Sequence, residues 1–152
     1  MEAHNYHVDV AWSETRKGVM CSRDLSDRSQ CFEVATPPEF PNGIPGIWSP
    51  EHLFTAAVSS CLMTTFLSIA ENSKLDFISF KCPAVGKLEK TEEGFLMTEI
   101  TLSPEVVVAD ESLKAKALRV LEKAEKHCLI SNSIKSKVVM DPTIAVSESA
   151  KV

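Results

Sequence analysis

Residues 7–12 alternate as a strand does, with Val8 and Val10 on one side. Residues 19–22 and 31–36 are weaker strand candidates, joined by a polar turn at 24–29. Residues 37–48 hold too many Pro and Gly for regular structure. They nevertheless carry Phe40, Ile44, Ile47 and Trp48, which reads either as a packed connector or as the rim of an apolar pocket. Ser49-Pro50-Glu51 then starts a helix. The serine accepts from free backbone N–H groups, Pro fits the first turn, and an early carboxylate suits the positive helix end. This helix is expected to run to about Asn72. Ala56, Ala57, Ser59 and Ser60 keep its surface small, and with no wet face it should be buried on all sides, which points to a dimer with a shared core.

Beyond it, residues 77–90 and 95–108 read as two strands around the turn Thr91-Glu92-Glu93-Gly94. Asp110 opens an amphipathic helix in which Leu113, Ala117, Val120, Leu121, Ala124 and Cys128 share one face, opposite Lys116, Arg119, Lys123 and Lys126. Ser131-Asn132 should cap a short turn, Lys137–Met140 form a last strand, and the tail from Ser147 fray. Neither an internal repeat nor a linker interrupts the chain, so a single domain, 1–152, is expected. The class is α+β: antiparallel sheets around a long buried central helix.

Composition narrows the functions. With 44% apolar and 24% charged residues the chain is globular rather than disordered, and a net charge of −5 without a basic stripe argues against nucleic acid. Residues 53–70 are apolar enough to raise a membrane span, but the Thr and Ser spread around that helix favour a soluble core. The opening residues lack the basic and apolar stretches of a signal peptide, so the cytoplasm is expected, where thiols stay mostly reduced.

Five cysteines (21, 31, 61, 82 and 128) without CxxC fit neither a disulfide framework nor a structural zinc site. Reactivity is then the reason for which a cysteine would matter. Cys61 lies deep in the apolar helix and Cys128 at the buried end of the amphipathic one; packing of those elements could bring the sulfurs together. The plain reading of each is a small buried hydrophobe. Cys21, Cys31 and Cys82 read as spare thiols at strand positions, and His52 as facing outward from the first helical turn.

Ser49-Pro50-Glu51-His52-Leu53-Phe54, followed by Ala56-Ala57 and Ser59-Ser60-Cys61, resembles the central-helix signature of the OsmC/Ohr family. His127-Cys128-Leu129-Ile130-Ser131-Asn132-Ser133 is similar to its second-cysteine segment, and the order of elements matches over nearly the whole chain. The resemblance implies an intertwined homodimer acting as a cysteine-based peroxidase on organic hydroperoxides. Cys61 would be the peroxidatic thiol and Cys128 the resolving one, a lipoyl-type dithiol would be the reductant, and no metal, flavin or haem would be needed. Arg16-Lys17-Gly18 resembles the loop that brings a guanidinium to the cysteine, and Glu51 the carboxylate that holds this guanidinium in bidentate geometry. Arg23 and Arg28 are less well placed for that part.

Such a cation makes physical sense. Each unit of thiol acidification needs about 1.4 kcal/mol, and a charge at ~4 Å offers about 4 kcal/mol before desolvation. The chain departs from the family pattern where Ser13-Glu14-Thr15 replace glycines, Leu129 replaces Pro and Ser49 replaces Asn. Two other functions fit the same fold: a non-catalytic module binding a small apolar ligand, and a thiol redox sensor.

Overall fold

The long helix, α1 (Pro50–Asn72), begins where the capping residues place it. Fully buried Ser49 accepts from the His52 backbone N–H through Oγ at 3.3 Å, while its own N–H donates to His52 Nδ1 at 3.2 Å. This is a capping box with an imidazole in place of the usual Glu or Gln. His52 therefore does not simply face outward; its ring turns back on the helix start, with Nδ1 also 2.7 Å from Ser49 Oγ.

The computed structural model of the protein describes residues 1–148, which group into two compact units, Met1–Leu53 and a second beginning at Phe54. In the first, β1 (Asp9–Glu14), β2 (Lys17–Cys21) and β3 (Phe32–Ala35) form an antiparallel sheet in that order. The irregular segment returns to it: Ala35 N–H donates to the Trp48 carbonyl at 2.8 Å. Trp48 itself remains 52% exposed, beside Phe32 and His52.

The β2–β3 register ends at Met20 opposite Phe32, and one step further Cys21 faces Cys31. The reading of these two as spare thiols is corrected here: they form a disulfide with Cα atoms 4.5 Å apart. That spacing is about that of a directly opposed, non-hydrogen-bonded pair in an antiparallel ladder. Register, invisible in cysteine spacing, makes the pair.

The second unit holds most of α1 and the strands β4 (Ser79–Lys81), β5 (Ala84–Thr91), β6 (Gly94–Leu102) and β7 (Glu105–Val108). Helix α2 (Lys114–His127), β8 (Lys137–Met140) and β9 (Thr143–Val146) complete it. Each of the two long expected strands is broken, at Pro83 and at Pro104, because proline cannot donate to a ladder. The pieces enter different sheets, ordered β4-β7-β9 and β5-β6-β8. The expected last strand is followed by another, β9. Both β8 and β9 join in parallel, to β6 and β7, after the crossover through α2 that parallel pairing requires. The class is α+β, with these two sheets mixed rather than antiparallel throughout. Ser147 N–H still donates to Val108 O at 2.9 Å; the rest of the tail expected to fray, 149–152, lies outside the described residues.

Val58, Leu62, Phe66 and Ala70, at helical spacing on α1, pack with Ile100, Leu102, Val106 and Val108 from the sheets and Ala117, Val120, Leu121 and Ala124 from α2. Within this one chain the central helix is left partly uncovered: Met63 is 39% and Leu67 41% exposed. A single chain has one stripe of core to offer it. By length and composition α1 would also suffice to cross a membrane, yet this stripe belongs to the core.

Candidate functional site

Cys61 stands on the inner face of α1 beside Leu62, and Cys128 is the residue at which α2 ends. Both thiols are free and buried, Cys128 completely. Cys128 leaves the helix with φ −66° and ψ 108°, its N–H donating to Glu125 O at 3.3 Å. The chain then re-tightens into a 3-10 turn, Ser131–Ser133, with Asn132 N–H donating to the Cys128 carbonyl at 3.0 Å. This break turns the amides of Leu129 and Ile130 toward the sulfur of Cys61 instead of continuing the helical ladder.

Four groups surround that sulfur: the N–H of Ile130, the thiol of Cys128, the hydroxyl of Thr65 and the N–H of Leu129. The Thr65 contact is a long, soft one, with Oγ1 at 4.0 Å from the sulfur. Burial pushes the pKa of the Cys61 thiol up, but the hydrogen bonds outweigh it, and it lies below the ordinary thiol value. Burial pushes Cys128 up. The hydroxyl and N–H of Ser131 pull it down, but the thiol and charge of Cys61 push it up again, and it ends above the ordinary value. The two sulfurs, distant in sequence, thus form a differentiated pair in which Cys61 gives up its proton first. Buried Ser131 Oγ has no conventional hydrogen bond among the described residues and stands against the Cys128 sulfur.

Donors supplied by the backbone after Cys128 were invisible in the residue types. The signal available was positional: Thr65 follows Cys61 by one helical turn, and Ser131-Asn132 announce a turn after α2. Arg16 lies exposed between β1 and β2, following Thr15 at φ 47°. Among the described residues it makes no salt bridge; its neighbour Lys17 takes Glu14 at 3.2 Å and Glu33 at 2.8 Å. That turn leaves the Arg16 side chain exposed to water. Glu51 sits half-buried in the first turn of α1, with Oε2 shielded from solvent. Cys82 is half-buried, raised by burial, and its carbonyl accepts from Ser59 Oγ at 2.9 Å.

The sign of these shifts gives a testable profile. A depressed thiol is anionic over a wider range, so alkylation of Cys61 by iodoacetamide should fall off only as pH drops through a midpoint below that of an ordinary thiol. Cys128 should react with a midpoint above it. Peptide-resolved alkylation rates check this, and a Cys61 midpoint at or above the ordinary value contradicts it.

The structure is thus an α+β core whose central helix presents a thiol to a second thiol at the end of the following long helix. Residues 43–143 match the OsmC-like protein family, and the chain belongs to it. It is 23% identical over 141 residues to the uncharacterized protein YmaD of Bacillus subtilis, covering 91% of each chain. An OsmC-like protein of unknown function from Vibrio cholerae superposes with a TM-score of 0.80 at 25% identity, over 92% of this chain and 99% of that one. An organic hydroperoxide resistance protein OsmC from Legionella pneumophila gives 0.74 at 20% identity, over 96% and 100%.

Proposed function

We propose that the protein is a thiol peroxidase that reduces organic hydroperoxides to alcohols through Cys61 and Cys128. The observation that carries this reading is the free, buried Cys61 thiol set among the thiol of Cys128, the amides of Ile130 and Leu129 and the hydroxyl of Thr65. Cys61 thiolate attacks the distal oxygen of the hydroperoxide, the O–O bond breaks, and the alkoxide leaves to be protonated as the alcohol. Cys61 is then a sulfenic acid. Attack by Cys128 expels its hydroxyl as water and leaves a Cys61–Cys128 disulfide. A dithiol, of lipoyl type by family resemblance, exchanges it back and leaves as a cyclic disulfide.

The amides of Leu129 and Ile130 would hold negative charge on the Cys61 sulfur at the moment of attack. Arg16 and Glu51 are proposed as supporting groups on the strength of the family resemblance. An intertwined homodimer is proposed as the working form; the exposed row Tyr6, Val8, Val10 and Trp12 and the uncovered Met63 and Leu67 support it.

The test is a thiol count after mixing with cumene hydroperoxide. Two thiols should vanish within seconds, Cys82 persisting, and Arg16→Gln should slow the loss if its guanidinium serves Cys61. Loss over hours would favour a redox sensor. No loss, with tight binding of an apolar ligand, would favour a binding module.

A further inference from the structure

Cys21 and Cys31 lie outside the peroxidase chemistry. Both are half-buried, at the open end of the β2–β3 ladder, and they close the loop that carries a 3-10 turn at Arg28–Gln30. Beside the disulfide is a cavity of about 450 Å³ lined by Cys21, Cys31, Arg23, Arg28, Asp9 and Asp27, among others. Its charges are not equivalent. Asp27 is committed, with Oδ1 accepting from Ser29 N–H at 2.9 Å and Oδ2 from Ser29 Oγ at 2.6 Å. Outside the lining, Asp24 is held by His7. Neither Arg23 nor Arg28 makes a salt bridge among the described residues. Arg23 feels only the field of neighbouring Asp24, without a salt bridge, so two guanidiniums remain to receive carboxylates next to an accessible disulfide, while Asp9, opposite Cys21 in the β1–β2 ladder, suits an ammonium group.

We propose that Cys21–Cys31 is a second, reversible thiol–disulfide exchange site whose partner is a small thiol bearing carboxylates, seated in this cavity. The thiolate of that partner attacks one sulfur, the Cys21–Cys31 bond breaks, and the other cysteine leaves as thiolate with a mixed disulfide in place. A second partner thiol attacks the mixed disulfide, releasing the partner's own disulfide and the reduced pair. The reverse sequence, driven by the partner's disulfide, restores the bond. Opening it leaves the fold standing, because the ladder from Lys17–Ala35 to Met20–Phe32 holds β2 to β3 independently. A volume of this size accommodates a peptide-like thiol.

The experiment offers the folded, oxidised protein glutathione or cysteamine and follows Cys21 and Cys31 by alkylation and peptide mass. Rates are corrected for thiolate content. Peptide resolution separates this site from Cys61 and Cys128, so its outcome is independent of the peroxidase reading. Glutathione should open the bond at least about fivefold faster than cysteamine, with a transient glutathione adduct on one of the two cysteines. In the Arg23→Gln/Arg28→Gln double variant that ratio should fall to about one. Equal rates in the native protein, a ratio unmoved in the double variant, or opening only under denaturing conditions would overturn the proposal.

Discussion

Cys61→Ser is expected to reduce turnover of cumene hydroperoxide by at least about a thousandfold, since a serine hydroxyl is hardly ionised near neutral pH and is a poor nucleophile toward peroxide oxygen. The loss should be one of chemistry and not of folding. The substitution removes little volume, and the amides of Leu129 and Ile130 and the hydroxyl of Thr65 that surround the sulfur can serve a hydroxyl oxygen equally well. The thermal midpoint should therefore stay within a few degrees of the native protein while activity disappears. A variant that keeps its turnover would transfer the chemistry to another cysteine, and Cys82 would be the next to examine.

Phe66→Ala carries the largest expected cost to stability, about 3–5 kcal/mol. Its ring is fully buried, stacked on Phe80 with centroids 4.8 Å apart and edge-on to Phe77 at 5.2 Å. Removing it deletes transfer free energy and aromatic contacts together and leaves a cavity between α1 and the segment leading into β4. For a chain of this size the midpoint of thermal unfolding should fall by about 10 °C. Because Phe66 lies on the stripe that also carries Leu62, the helix that presents Cys61 should loosen in the same variant. Calorimetry and urea denaturation measure the first effect and Cys61 alkylation the second. A shift below about 1 kcal/mol would mean that the stripe is not the seat of the core.

What was legible in the chain is what local chemistry encodes. Ser49-Pro50-Glu51 marked the start of α1 because capping depends only on neighbouring residues. The α2 face was visible because Ala117, Val120, Leu121 and Ala124 recur at its period, and that period also placed Cys128 on the buried side. The meeting of Cys61 with Cys128 could be anticipated as soon as both helices were assigned to one core. Features set by distant geometry were not readable. The Cys21–Cys31 bond depends on strand register, the breaks at Pro83 and Pro104 on which sheet each half-strand joins, and β9 on a parallel partner, β7, that precedes it by a whole helix. The donors at Leu129 and Ile130 are backbone groups, which any residue type supplies. A cation was the natural expectation beside a reactive thiol; hydrogen bonds from the amides of Ile130 and Leu129 are a second source of acidification, which residue types do not reveal. Which flank of α1 stays uncovered was not readable, because apolar composition does not tell which side of a helix one chain covers.

The most direct measurement is peptide mapping after one equivalent of organic hydroperoxide has been added to the reduced protein. A peptide pair joining Cys61 to Cys128, together lighter by two hydrogens and restored by a dithiol, is the predicted product. Recovery of both residues as free thiols, or of Cys61 oxidised to the sulfinic acid with Cys128 untouched, would contradict the account.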